Sequence, residues 1–101
     1  MLFWRKKFLK SGKRVEITLY SKPECHLCDV AKEVLASRQT YVPMEIKEID
    51  IRDSEELMEA YGTEIPVVFV GKQKCFRHRV HPKGLESRLK EEALRMLENE
   101  K

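Results

Sequence analysis

Two thiols lie three positions apart in Cys25-His26-Leu27-Cys28, a spacing that lets a pair of cysteines pass between dithiol and disulfide. The run ahead of them, Val15-Glu16-Ile17-Thr18-Leu19-Tyr20, alternates apolar and polar as a half-buried strand does. Behind Cys25, apolar residues fall at Leu27, Val30, Ala31, Val34 and Leu35, the spacing of one helical face. A strand giving way to a helix here sets the Cys25 sulfur at a helix N-terminus. Unpaired N–H groups and the macrodipole favour an anion there, and the thiolate is the nucleophilic form. Cys25, at the open end, is expected to be the more exposed thiol with the lower pKa. Cys28, one turn in, should stay shielded until a mixed disulfide forms and it attacks to resolve it. Lys22 can place a cation near the Cys25 thiolate, and protonated His26 can do the same. The plain alternative is two cysteines that share a helix by chance.

The elements around this pair alternate along the chain. Pro43 to Ile51, with Ile46, Ile49 and Ile51 among charges, reads as a second strand. Asp53-Ser54-Glu55-Glu56 looks like a capping box opening a short helix, which ends near Tyr61 with Gly62 as a left-handed stop. Pro66 to Val70 is an apolar strand, and Gly71-Lys72-Gln73 turns it into a hairpin partner over Lys74 to His78. Pro82 suits the first turn of a last helix whose apolar face holds Leu85, Leu89, Ala93, Leu94, Met96 and Leu97. The order is β-α-β-α-β-β-α. Strands joined through a helix are expected to run parallel, with the terminal hairpin adding an antiparallel edge. The fold class is α/β: a four-stranded mixed sheet flanked by helices.

Composition bounds what such a chain can be. Its 101 residues, 42% hydrophobic, suffice for one small core, and no run approaches the ~20 apolar residues of a membrane span. The formal net charge of +3 hides an asymmetry. Residues 1–14 carry six basic side chains and no acid, whereas the remaining 87 residues hold 14 basic and 17 acidic ones. The domain is therefore read as residues 15–101, mildly acidic and ill suited to nucleic acid, behind a basic leader or tail at 1–14. Three cysteines do not make a secreted disulfide framework. A CxxC without an export signal fits a reducing compartment, so a cytoplasmic location is expected.

The arrangement resembles the glutaredoxins of the thioredoxin superfamily from residue 15 to about 98. Leu19 to Cys28 matches the Tyr-(Ser/Thr)-Lys-Pro-x-Cys-x-x-Cys pattern, and Glu64 to Val70 carries the Ile-Pro peptide. The resemblance implies the thioredoxin fold and a proline, Pro66, cis in the family and facing the reactive sulfur. It also implies thiol–disulfide oxidoreductase activity, with Cys25 as nucleophile and Cys28 as resolving thiol. Lys22, His26, Ile65 and Pro66 would line the substrate site, and the Ile65 backbone would offer strand-like pairing to an extended substrate. Implied partners are disulfide-containing proteins or glutathione, with glutathione also a possible reductant, no tightly bound cofactor and a monomeric state. Two departures stand out. His26-Leu27 replaces the usual Pro-Tyr, and the glutathione-binding Gly-Gly-x-Asp is missing: Cys75 to Pro82 reads Cys-Phe-Arg-His-Arg-Val-His-Pro. Arg77 or Arg79 could hold a carboxylate instead.

Other readings compete for particular residues. Cys25, Cys28, Cys75, His78 and His81 contain enough potential zinc ligands to consider, though arginines beside the histidines oppose a cation, and no metal is expected. The basic leader can be a solvated tail or pack locally, touch an anionic membrane surface, or direct the chain to mitochondria. The rival to an enzyme is a thioredoxin-fold binding or redox-sensing module whose CxxC is structural or holds metal.

Overall fold

Alternation in the first strand sets up the core. In the computed structural model, which describes residues 3–99, strand β1 (Val15–Ser21) buries Val15, Ile17, Leu19 and Ser21 on one face. Helix α2 (His26–Ser37) and helix α4 (Pro82–Glu98) cover that face, α2 with Ala31 and Leu35, α4 with Leu85, Leu89 and Ala93, all fully buried. Pro82 occupies the first turn of α4, where its missing N–H costs nothing. Leu94 departs from the apolar face expected of α4 and is exposed, because the buried stripe follows Leu85, Leu89 and Ala93 at four-residue steps.

Strand β2 (Met44–Asp50) lies parallel to β1, Val15 opposite Met44 and Ser21 opposite Asp50. Strand β3 (Val67–Val70) flanks β1 on its other side, and β4 (Gln73–Arg77) closes the order β2-β1-β3-β4. The parallel crossover expected between the second and third strands does not occur: β3 runs antiparallel to β1, Leu19 opposite Val68. Length explains this. Helix α3 (Glu55–Tyr61) has seven residues and advances ~10 Å, less than half the ~23 Å of a seven-residue strand. The chain therefore stays at the end where β2 finished, and β3 starts back from there.

Two details of α3 also differ from expectation. A short 3-10 turn (Ile51–Asp53) comes first, so the cap falls on Ser54, whose hydroxyl accepts the Leu57 N–H, and no reciprocal Glu completes a capping box. Gly62 is right-handed (φ −53) rather than a left-handed stop, and the reason for glycine is contact: a Cβ there would come 2.5 Å from the Met58 carbonyl oxygen.

The basic leader contributes helix α1 (Phe3–Ser11), closed by Gly12 at φ +75. Phe8 is fully buried in the same core as Val15 and Leu89. Arg5 donates from Nε to the Tyr41 carbonyl (2.6 Å) and from Nη2 to the Thr40 carbonyl (2.9 Å), while Trp4 meets Tyr41 edge-on at 6.0 Å. Residues 3–11 thus pack on the domain. Among the described residues no helix is long and apolar enough to cross a membrane.

Truncating a buried Phe to Ala costs ~3–5 kcal/mol. Phe8→Ala should accordingly lower the urea midpoint by an amount worth about 3 kcal/mol of unfolding free energy. A midpoint equal to wild type would mean that α1 is pendant in solution.

Candidate functional site: a dithiol at a helix N-terminus

Lys22, Pro23 and Glu24 turn the chain from β1 into α2, with Glu24 in the left-handed region at φ +58. That turn delivers Cys25 to the N-cap of α2 in extended geometry (φ −118). Its sulfur accepts the Cys28 backbone N–H at 3.2 Å, filling the role that Ser or Asp plays at other helix starts. Cys25 and Cys28 are joined as a disulfide, their Cα atoms 5.2 Å apart. Cys28 is 1% exposed, whereas Cys25 is half-buried. Cys25 is thus partly exposed at the positive end of a helix, and Cys28 is buried one turn in.

The floor beneath the pair is a second small core made by Cys28, Ile51 and Ile65, with Tyr20, Leu57 and Tyr61 packed against it. Pro66, buried, follows Ile65 through a cis peptide bond. Ile65 and Pro66 therefore adjoin the dithiol. His26, the first residue of α2, is exposed. Lys22 is exposed too and makes no hydrogen bond or salt bridge with a described residue. It lines a cleft of about 350 Å³ with Ser21, Pro23, Asp29, Lys32, Glu48 and Asp50, on the β2 side of the disulfide.

That cleft holds a polar network which the sequence did not disclose. The Ser21 hydroxyl, nearly fully buried, donates to Glu48 Oε2 at 2.6 Å, and the Lys32 ammonium lies 3.0 Å from the same oxygen. The Ser21 hydroxyl, followed by Lys32, holds the Glu48 carboxyl below the usual carboxylate range, against partial burial. On the opposite face of β1, Tyr20, Tyr61 and Phe69 form an aromatic trio, Tyr20 and Tyr61 4.7 Å apart and Phe69 edge-on to both. These residues come from three elements, so no spacing along the chain could reveal them.

The third cysteine stands apart. Cys75 is the extra residue of a bulge in β4, since Phe76 pairs with Val68 and Lys74 with Phe69. Its thiol contacts the Gln73 carbonyl at 3.4 Å and borders another cleft with Arg88 and Arg95. His78 turns elsewhere, with Nε2 2.9 Å from the Thr63 carbonyl oxygen. Among the described residues no three His, Cys, Asp or Glu side chains gather as a metal site would require.

A mixed four-stranded sheet with flanking helices and a CxxC pair at the β1–α2 junction defines a thioredoxin-fold domain. The family profile described as glutaredoxin-like domain (DUF836) matches residues 16–95, and the chain belongs to that family. A glutaredoxin-like protein of Dictyostelium discoideum is 28% identical over 80 residues, 73% of this chain and 74% of the relative. An X-ray structure of a protein from X. campestris superposes with a TM-score of 0.61 at 29% identity, covering 70% of this chain and 91% of the other. A Nitrosomonas europaea protein solved by NMR gives 0.68 at 22% identity over 76% and 93% of the two chains. A mutant thioredoxin from Halobacterium salinarum gives 0.56 at 17% over 83% and 79%. The last two share the fold.

The Glu48 network makes a pH prediction. A carboxyl held low in the folded state stabilises the fold above its unfolded pKa, near 4.5, and that contribution is lost as pH falls through the lower folded value. Ser21→Ala removes the first cause of the depression. The variant should lose about 1 kcal/mol at pH 7, discounted for the partial exposure of Glu48, and less than that at pH 3. Urea denaturation at the two pH values measures it; an equal loss at both would assign the effect to packing.

Proposed function

We propose that the domain is a thiol–disulfide oxidoreductase. The Cys25 thiolate attacks one sulfur of a substrate disulfide, forming a Cys25 mixed disulfide and expelling the substrate's other sulfur as a thiolate. The Cys28 thiolate then attacks the Cys25 sulfur, releasing the second substrate sulfur as a thiolate and leaving the Cys25–Cys28 disulfide. Two electrons pass to the substrate. Glutathione or another thiol donor returns them to the enzyme.

The observation that carries this reading is the asymmetry of the pair. Cys25 sits at the open N-cap of α2 with its sulfur on a backbone N–H, and Cys28 is buried behind it. The same N–H and helix end that favour the thiolate as nucleophile favour it as a leaving group during recycling, when a second donor thiol attacks the outer sulfur of a Cys25–donor mixed disulfide. The cover over Cys28 keeps it from external disulfides, so the order of the two attacks follows from exposure. Ile65, in the same small core as the pair, has a backbone suited to an extended substrate strand. Relatives bearing glutaredoxin-like descriptions add weight to the class of chemistry.

Wild type, Cys25→Ser and Cys28→Ser should be compared in insulin disulfide reduction and in reduction of a glutathione mixed disulfide. Wild type should reduce insulin, Cys25→Ser should fall to background in both assays, and Cys28→Ser should lose insulin reduction. Glutathione mixed-disulfide activity in Cys28→Ser would add glutathione to the substrates in spite of the absent glycine pair. Turnover by Cys25→Ser would overturn the mechanism. Silence of wild type in both assays would leave a redox-sensing or binding module in its place.

A further inference from the structure

From Gly71 to Gly84 the chain carries Lys72, Lys74, Arg77, Arg79 and Lys83 together with His78 and His81, and no acid. The structure brings the middle of this run against the loop that adjoins the dithiol. Arg77 lies opposite Val67, the residue after Pro66, on edge strand β4. The His78 backbone N–H, held at φ +68, donates to the Pro66 carbonyl (2.8 Å) and the Glu64 carbonyl (3.1 Å). With the His78 ring on Thr63, residues 77–79 are fastened along residues 63–66, whose Ile65 packs on Cys28.

Glu64, Asp29 and Asp50 are paired, while Glu24, beside Cys25, is exposed and makes no hydrogen bond or salt bridge with a described residue. Glu64 is bound by Lys74 at 2.7 Å, and that bond, with Arg77 and His78 adding to the field, holds its carboxyl low. Asp29 faces Lys32, Asp50 is engaged by Arg52, and Glu24 lies in the field of Arg52. Arg77 and Arg79 are exposed, and neither side chain makes a hydrogen bond or salt bridge with a described residue. Helix α4 follows without a side-chain cap and without an acid in its first turn, so its positive end adds to the same rim.

We infer that this rim selects, as partners of the dithiol, polypeptides whose disulfide is flanked by acidic residues. The inference rests on the oxidoreductase reading and names the substrate class for that site. The cations are distributed from Arg77 to Lys83 instead of closing as a fork on one carboxylate, an arrangement that suits several acids in series along a chain. Unpaired charges at the edge of a binding groove act chiefly by raising the association rate, and they do so most at low salt.

The test uses one disulfide peptide in three versions, flanked by Glu, Gln or Lys, reduced by the full chain at about 20 mM and about 500 mM salt. At low salt kcat/KM for the Glu version should exceed that for the Gln version by about tenfold, with the Lys version slowest, and high salt should bring the ratios toward one. The Arg77→Ala/Arg79→Ala variant should collapse the Glu preference, bringing kcat/KM for the Glu version down to that for the Gln version. Equal rates for all three peptides, or a preference that survives the double variant, would overturn the inference while the oxidoreductase reading stands. Glutathione disulfide reduced faster than the Glu peptide, with equal sensitivity to the double variant, would overturn a polypeptide as the occupant. If no peptide is reduced, the oxidoreductase reading falls. Fluorescence anisotropy of the labelled peptides then decides the surface alone: binding of the Glu version about tenfold tighter than the Lys version supports it, and equal binding overturns it.

Discussion

The turn between β1 and α2 governs both the sheet and the chemistry. It places a sulfur where helices usually place a hydroxyl or carboxylate, so the electrostatic need of the helix start is met by Cys25 itself. The turn can be fixed there because β1 is held on both sides, by β2 in parallel and β3 antiparallel, and because Ala31 and Leu35 fasten α2 onto its buried face. Were α2 free to slide or fray, the first N–H groups would be lost to water and Cys28 uncovered together with them. The packing of the main core is thus what keeps the two sulfurs inequivalent.

The facing wall is built by a different device. Among glutaredoxins a glycine pair follows the hairpin, whereas here Arg77-His78-Arg79 occupies that stretch, and His78 adopts the left-handed backbone that glycine takes without cost. Two carbonyls of the Glu64–Pro66 loop accept its N–H, and its ring reaches Thr63. The connection between β4 and the cis-proline loop is therefore kept while the side chains presented at the rim are changed from none to basic.

How much of this the sequence disclosed depends on how local the determinant is. The alternation of Val15 to Tyr20, the helical spacing from Leu27 to Leu35, Pro82 opening α4 and the CxxC all act over a few residues, and each was legible. The sense of β3 was not, because it depends on α3 being too short to carry the chain back along the sheet, a matter of lengths compared across three elements. Nor was the choice of Ser54 over Asp53 as cap, since the intervening 3-10 turn shifts the helix start by one residue. The leader's charge gave no sign that Phe8 would enter the core, for that contact needs α4 and β1 already in place. Of the site, the two cysteines and the Ile65–Pro66 peptide could be read from motif. The Ser21–Glu48–Lys32 network and the Tyr20–Tyr61–Phe69 trio are assembled only by the sheet.

The account turns on Cys25 being a thiolate near neutral pH while Cys28 stays covered. Alkylating the reduced protein with iodoacetamide across a pH series, with peptide mapping to separate Cys25, Cys28 and Cys75, tests that most directly. Rapid modification confined to Cys25, beginning below pH 7, is the predicted result. Slow modification of all three thiols with one common midpoint near the ordinary value of ~8.5 would contradict it.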